Sequence, residues 1–485
     1  MKIVYASPEA LPFIKTGGLG DVAGALPLEL SKIEENEVIV FLPFYEKIKN
    51  CDKFDINFVT DFYMPLGWRG VYTGVFSSEV TVKGKGKKET KVTFYFIDNE
   101  DYFKRENLYG YDDDGERFGF FSKAILETLV KLSIAPDVIH INDWHTGTLP
   151  LFKKALYWGV DFLKDVPVVF TIHNIEYQGK ASPTFITDVL GVDEGWNEIC
   201  MHNGDFNALK TAIVLSDRVT TVSPTYSHEL KFAYFAHGME SIISENHYKM
   251  SGIVNGIDTN LFNPQKDKEI FKKYSKKTIS GKDECKREFQ KMVSLPERDD
   301  VPLICIISRL VSHKGIELIE RVSDSLCSMD LQLAVLGTGD ERFEEFFRFL
   351  AYAHPDKVSA HITFDPSFAS KLYSASDFLL MPSKSEPCGL SQLVAMRYGT
   401  IPIVRETGGL VDTVEPLNTA TLEGRGFTFK LFNAHDMLGA VERACEFFKD
   451  KEKLLSHRKN LMSIDFGWGK SAEKYMEIYS QFYKD

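Results

Sequence analysis

Long apolar runs are missing from this chain. Nowhere in its 485 residues is there an uninterrupted apolar stretch of the roughly 18–20 residues that a membrane-spanning helix needs, which excludes a helical membrane protein. The first residues, "MKIVYASPEALPF", break off too early to serve as a secretory leader and read as a first strand. Cysteine is sparse and odd in number. Cys51, Cys200, Cys285, Cys305, Cys327, Cys388 and Cys445 are scattered with no C-x-x-C pair, so neither a disulfide framework nor a cysteine zinc site is expected, and a reducing cytoplasm fits best. Positive charge is also in deficit. Fifty-seven Lys and Arg face 69 Asp and Glu, a net charge of −12. That argues against a nucleic-acid partner, and any anionic substrate must find its cations locally. Neither a G-x-G-x-x-G fingerprint nor a P-loop occurs. Short repeats and low-complexity tracts are absent too.

What is present is a regular alternation. The length suggests two domains, and 44 % hydrophobic residues are enough to fill two cores. In the first half "KIVYA", "EVIVFL", "VTFYFID", "DVIHIN", "PVVFTIH", "RVTTVS" and "SGIVNG" read as strands, separated by helical patterns such as "ERFGFFSKAILETLVKL". Near-continuous apolar strands alternating with helices predict a parallel sheet covered on both faces. The rhythm restarts near residue 260 with "PLICIIS", "LQLAVLG", "SAHITF", "DFLLMPS", "TIPIVRE" and "GFTFK". The fold class is therefore α/β, with two doubly wound halves joined near "GIVNGIDTNLFNP", where turn formers cluster. "TVKGKGKKETKV" reads as an exposed hairpin tip. Because ligands of open parallel sheets sit beyond the carboxyl ends of the strands, a cleft between the halves is expected to hold the site.

The strand ends carry the chemistry. In "KTGGLGDV", Gly17 and Gly18 follow strand one and open a helix, so their amides can approach an anion, with Lys15 adding a full charge and Asp21 a fixed negative one. A tight turn with a solvated lysine has the same spacing. "SRLVSHKG" sets Arg309 and Lys314 five residues apart, which suits a diphosphate, although a solvated loop is the commoner reason for such a pair. "SKSEPCGLSQ" places Glu386 just before Leu390 and Ser391 at a helix start. A carboxylate beside phosphate-binding amides makes sense if it meets sugar hydroxyls or a positively charged carbon; the alternative is a residue favoured there by the helix dipole. "RETGGLVDTV" offers a second anion seat at Thr407, Gly408 and Gly409. "INDWHTG" and "TIHNIEYQG" bring Asp143, His145, His173 and Tyr177 to strand ends facing the cleft, where Asp143, His145 and Tyr177 are expected to bind substrate; the spacing of a metal site is absent. "YDDDGERF" reads as solvated acids in preference to a metal-binding Asp-x-Asp. Tyr95, Phe96, Tyr102, Tyr109 and Tyr111 offer either sugar stacking or core packing, the second being the default.

Taken together, "KTGGLGDV", "DWHTG", "TIHNIEYQG", "TVSPTYSHEL", "NGIDTNLFNP", "SRLVSHKG", "PSKSEPCGLSQ" and "RETGGLVDTV" stand in the order and approximate spacing of the bacterial glycogen synthase and plant starch synthase family, and the resemblance covers nearly the whole chain. It resembles the short bacterial type. The resemblance implies a GT-B fold, two Rossmann-like domains across a deep cleft: an acceptor-side domain of residues 1–254 plus 463–485, with "FGWGKSAEKYMEIYSQFY" returning to it, and a nucleotide-sugar domain of residues 255–462. It implies transfer of glucose from ADP-glucose to the non-reducing end of an α-1,4-glucan such as glycogen, with retention of configuration and with neither metal nor cofactor. By motif matching, Lys15, Gly17 and Gly18 serve the sugar nucleotide, and Asp21 lies near the transferred glucose. Arg309 and Lys314 bind the diphosphate. Glu386 binds glucose hydroxyls and supports developing positive charge. Gly408 and Gly409 hold phosphate or sugar hydroxyls, His173 sits beside the anomeric carbon, Asn255 near the leaving group, and Tyr373 packs on adenine. Related retaining transferases often carry a second glutamate eight residues on; here that position is Val394, so a two-carboxylate scheme has no support. Other readings are a transferase using UDP-glucose or another acceptor, a sugar-nucleotide epimerase or hydrolase, and an inactive glucan-binding module. Oligomeric state is not legible.

Overall fold

The computed structural model describes residues 1–33, 35–84 and 89–483. Residues 85–88, within the segment expected to be an exposed hairpin tip, lie outside the described residues.

The chain divides into two compact units. One comprises Met1–Val222, Ser227–Ile253 and Trp468–Asp485, the other Ser223–Tyr226 and Val254–Gly467. The expected return at residue 463 therefore moves to 468. Phe466 stays with the second unit, where its carbonyl accepts from the Ile257 N–H at 2.9 Å and its ring joins the core. Val254 and the short stretch Ser223–Tyr226 also change sides. Ser223 Oγ donates to the Pro387 carbonyl at 2.6 Å, and Thr225 donates through N and Oγ1 to the Asp412 carboxylate at 2.9 and 2.8 Å.

The first unit is built on β1 (Lys2–Ala6), β2 (Glu37–Pro43), β3 (Asn57–Leu66), β4 (Arg69–Lys83), β5 (Glu89–Asp98), β6 (Val138–Asn142) and β7 (Val168–Ile172). Three short strands follow, β8 (Lys180–Ala181), β9 (Met201–His202) and β10 (Asp205–Asn207), then β11 (Arg218–Thr221) and β12 (Met250–Gly252). Among the described residues nine of these form one sheet in the order β12-β11-β7-β6-β1-β2-β5-β4-β3, and β8-β10-β9 form a small one. The large sheet is not the all-parallel sheet expected. Strand β4 runs antiparallel to both β3 and β5, so an antiparallel ribbon is added to a parallel centre. The centre is as the apolar runs require: every residue of β6 and β7 is buried.

The helix Gly469–Ser480 belongs to this unit and is pinned to the sheet by polar side chains. Tyr479 Oη lies 2.6 Å from His140 Nδ1, and His140 Nε2 lies 2.6 Å from Thr171 Oγ1. Burial pushes His140 down to about 3, so at neutral pH the ring is uncharged and serves as a hydrogen-bonding pin.

The second unit contains β13 (Leu303–Ile307), β14 (Gln332–Leu336), β15 (Val358–His361), β16 (Phe378–Met381), β17 (Ile401–Arg405) and β18 (Phe427–Phe429). They form a parallel sheet in the order β15-β14-β13-β16-β17-β18. In each unit the strand order reverses direction beside the first strand: between β1 and β6, and between β13 and β16. The carboxyl ends at such a reversal are where open α/β sheets bind ligands, and most of the motif residues fall there.

Candidate active site

In the second unit the site grows from three neighbouring strand ends. β13 leads into the short turn Ser312–Lys314, β16 into the loop holding Glu386, and β17 into the helix Gly408–Thr413. Lys314 and Glu386, 72 residues apart, meet here: Lys314 Nζ donates to Glu386 Oε2 at 2.6 Å. Ser383 Oγ donates to the same oxygen at 3.0 Å. Glu386 is 6 % exposed, so its charge is held by partners and not by water. The backbone locks the group together. Gly315 has φ +74, and a Cβ there would lie 2.0 Å from the Pro382 carbonyl oxygen, so only glycine allows the Lys314 turn to lie against the loop after β16. The Gly409 N–H donates to the Glu386 carbonyl at 3.0 Å, and a Cβ on Gly409 would meet the Cys388 oxygen at 2.2 Å. The Gly408–Gly409 turn and the Glu386 loop are thus one packed structure. Thr407 is fully buried at the helix start. Leu390 caps the helix Ser391–Arg397 and packs on the core. Arg309 is exposed.

Asn255 is 6 % exposed and its Oδ1 is buried with no hydrogen-bond partner. A buried, unsatisfied carbonyl oxygen is costly, which fits a group that a ligand satisfies. Tyr373 departs from expectation. It lies at 6 % exposure within the apolar core, its ring 6.2 Å from that of Tyr398, and so offers no open face to an adenine.

In the first unit the site grows from β1, β6 and β7. Lys15 Nζ is 2.7 and 2.6 Å from the two Asp21 oxygens. The lysine and aspartate of the glycine loop therefore neutralise one another. Burial raises the Asp21 pKa and Lys15 opposes the rise. Gly17 is the N-cap of α1 (Gly18–Leu30), with no side chain capping that end.

Asp143, at the end of β6, has φ +53 and is 9 % exposed. Its Oδ1 accepts from the His173 N–H at 2.7 Å. Burial outweighs that bond and raises its pKa to about 7. His173 Nε2 lies 2.9 Å from Asn142 Oδ1. Asn142 Nδ2 donates to the Ala6 carbonyl and its Oδ1 accepts from Tyr5 Oη, so that oxygen is an acceptor and His173 must donate through Nε2. The ring is then the Nε2–H tautomer with Nδ1 as its acceptor, and burial lowers its pKa to about 3.

His145 is not beside these groups as a ligand. Its ring is stacked on Trp144 at 4.2 Å and boxed by Tyr109 and Phe118, each at 4.7 Å, and burial drives its pKa well below the usual value. Tyr177 is half exposed. Of the aromatics weighed for stacking, Phe96 and Tyr102 are buried, as the packing default requires. In "YDDDGERF" Asp112 is exposed, while Asp113 and Asp114 are engaged and not merely solvated. Arg105 donates to both Asp113 oxygens, Arg117 Nε to Asp114 Oδ1 at 2.7 Å, and Gly110 N–H to Asp114 Oδ2 at 2.8 Å. Among the described residues no cluster of three or more His, Cys, Asp or Glu is placed to hold a metal ion.

Sequence reasoning missed Glu9, Asn142, Ser383 and Arg405, all of which hold other site residues. Arg405 Nη1 donates to the carbonyls of Ser383 and Lys384 at 3.3 and 2.8 Å, bracing the Glu386 loop. Only Glu9 carried a signal, a lone charge inside "ASPEALPF".

Comparison with known proteins shows the family. Residues 2–245 match the family described as starch synthase catalytic domain, and residues 287–460 match glycosyl transferases group 1. The two matches together define a glycosyltransferase. Glycogen synthase of Desulforamulus reducens is 43 % identical over 483 residues, covering 99 % of this chain and 98 % of that one. Glycogen synthase of Finegoldia magna is 45 % identical over 487 residues, covering 100 % of both. The solved catalytic domain of starch synthase IV from Arabidopsis thaliana, bound to ADP and acarbose, has a TM-score of 0.89 at 32 % identity, with 99 % of each chain covered. Sucrose-phosphate synthase from Thermosynechococcus elongatus shares the fold at a TM-score of 0.57 and 18 % identity. The chain belongs to the glycogen synthase family.

Proposed function

We propose that this protein transfers glucose from ADP-glucose to the non-reducing end of an α-1,4-glucan, with retention of configuration, in glycogen synthesis. The observation that carries the reading is the Lys314–Glu386 pair at the sheet reversal of the second unit, packed against the Gly408–Gly409 turn. Before donor binds, each charge neutralises the other. When a diphosphate arrives, Lys314 gains a doubly charged partner. Glu386 is then left facing sugar, where it accepts hydroxyl hydrogen bonds and stabilises positive charge at the anomeric carbon. Arg309 adds a second cation for the departing ADP. The unsatisfied Asn255 oxygen and the Gly408–Gly409 amides serve the donor's polar groups. In the first unit Lys15, Asp21, Gly17 and Gly18 serve the sugar nucleotide, and His173, uncharged at neutral pH, acts by hydrogen bonding.

With no second glutamate at Val394, retention follows from a front-face reaction. The glucosyl–oxygen bond to ADP breaks, an oxocarbenium-like carbon develops, and the acceptor hydroxyl attacks from the same face. Its proton passes to the departing phosphate oxygen. Catalysis is then chiefly positioning and electrostatic stabilisation. The seven cysteines are free, which supports a reducing, cytoplasmic setting; among the described residues no helix is long and apolar enough to cross a membrane.

The test is to incubate the protein with glycogen and either ADP-glucose or UDP-glucose, and to measure nucleotide release beside chain elongation. ADP release with matching elongation is expected. Release without elongation defeats the transferase reading, and preference for UDP-glucose defeats the donor assignment.

A further inference from the structure

The glycine loop of the first unit is not held by its own Lys15–Asp21 pair alone. It is held from beneath by Glu9. This carboxylate is 3 % exposed and spends both oxygens on the loop. Oε2 accepts from the Thr16 N–H at 2.5 Å and from Thr16 Oγ1 at 2.7 Å, and Oε1 accepts from the Gly20 N–H at 3.2 Å. Burial raises its pKa, and these three bonds work against the rise. Two loop amides are thereby turned inward. Among the described residues the amides between them, those of Gly17, Gly18 and Leu19, have no protein acceptor. A helix of 13 residues begins there, so its first N–H groups and its dipole face an approaching anion.

We infer that Glu9 is a positioning residue for the donor phosphates: by fixing which amides point inward it leaves Gly17, Gly18 and Leu19 as the anion-binding set. This rests on the proposed use of the loop for the sugar nucleotide. A carboxylate is required for geometric reasons. Three donors converge on Glu9, and a carboxylate presents acceptors only, whereas a glutamine must aim an N–H₂ group at one of them. Gly17 leaves room above Glu9; a Cβ there would lie 3.9 Å from Oε1.

The test compares ADP with adenosine, which differ by the diphosphate alone. In the full-length protein, Glu9→Gln is expected to weaken ADP binding about tenfold, the scale of one lost charged hydrogen bond, while adenosine binding is unchanged by calorimetry. The KM for ADP-glucose should rise with it. Equal weakening of ADP and adenosine, or an unchanged ADP affinity in a folded variant, overturns the assignment. Thr16→Val removes only the Oγ1 bond and serves if Glu9→Gln does not fold. It should show the same selective loss at about threefold, and an unchanged ADP-to-adenosine ratio overturns the assignment equally. The unaltered protein separates the two readings. If it fails to release ADP from ADP-glucose with glycogen present, the function is wrong. If it does so and Glu9→Gln keeps its preference for ADP, only the role of Glu9 is wrong.

Discussion

The two units solve one problem twice, with different reach. Each places a lysine against a carboxylate at a strand end beside a glycine-rich helix start. In the first unit the partners are six residues apart and share one loop, Lys15 with Asp21. In the second they are 72 residues apart and come from different strands, Lys314 after β13 and Glu386 after β16. The first pair is a property of a turn and the second a property of a fold. A local pair re-forms whenever its loop does, so it tunes affinity at small structural cost. A distant pair exists only when two strands, a glycine at 315 and the Gly409 approach are all in place. Its geometry is therefore preorganised, which is what transition-state stabilisation needs.

That contrast predicts its largest effect at Glu386. Glu386→Gln keeps the shape but removes the charge. Turnover should fall by about 10²–10³, the range for losing one preorganised electrostatic group. ADP affinity should hold or improve, since Lys314 no longer has a competing partner. Calorimetry with ADP beside steady-state rates decides this. Normal turnover, or a defect confined to ADP affinity, breaks the claim that the distant pair serves the reacting carbon.

Lys314→Ala and Lys15→Ala sharpen the same comparison. A charge-assisted bond to the leaving diphosphate contributes about 1.5–3 kcal/mol, or roughly tenfold to over a hundredfold in rate. Lys314→Ala is expected near the top of that range, mostly in kcat, because it also leaves Glu386 buried and unpaired. Lys15→Ala is expected near the bottom, mostly in KM, because Lys15 and Asp21 keep about a quarter of their side-chain surface in water. Equal losses in kcat would erase the distinction between the pairs.

Much of the parallel fold was legible because its strands are buried on both faces and read as continuous apolar runs; β1, β6, β7, β13 and β16 are plain in the sequence. The β3–β4 ribbon was not. "NFVTDFYMPL" alternates exposed and covered residues, as a strand with one wet face must, and a search for unbroken apolar runs passes over it. The site divided along the same line. Residues that touch substrate in the proposed reaction sit in glycine-marked turns and announce themselves. Residues that hold them, such as Glu9 under the glycine loop and Asn142 behind His173, make long-range contacts with no local pattern. Tyr373 failed for the converse reason: an aromatic on a helix looks alike in sequence whether it faces a ligand or the core.

A smaller effect is expected at Asp143, read through pH and stability. Unfolded, its carboxyl titrates at about 3.9; folded, burial raises this to about 7. Folding therefore takes up a proton between those values. The contribution of Asp143 to stability is fully present below about pH 4 and is lost as pH rises through 7, by up to about 4 kcal/mol. Asparagine does not titrate, tolerates the positive φ and keeps an oxygen for the His173 N–H. Asp143→Asn should match the parent near pH 4 and exceed it in urea midpoint near pH 8. A constant difference across that range would mean that Asp143 is ionised throughout.

The smallest expected effect is none, and it concerns chelation of divalent cations. At the two glycine-marked strand ends a lysine lies beside a carboxylate, Lys15 with Asp21 and Lys314 with Glu386, and in the proposed reaction donor binding exchanges Glu386 for phosphate oxygens at Lys314. In the proposed reaction Lys314 with Arg309 provides the two positive charges that a diphosphate leaving group requires. The acidic run "YDDDG", the segment best suited in composition to a divalent cation, has Asp113 committed to Arg105 and Asp114 to Arg117 and the Gly110 amide. A cation binding there would have to displace those partners. Rates of ADP release with glycogen, measured with and without EDTA, should therefore agree within about twofold, a difference of roughly 0.4 kcal/mol in the barrier. A large loss on chelation, restored by magnesium or manganese, would mean that fixed lysines do not suffice for the leaving group, and the parallel between the two units would no longer explain how either works.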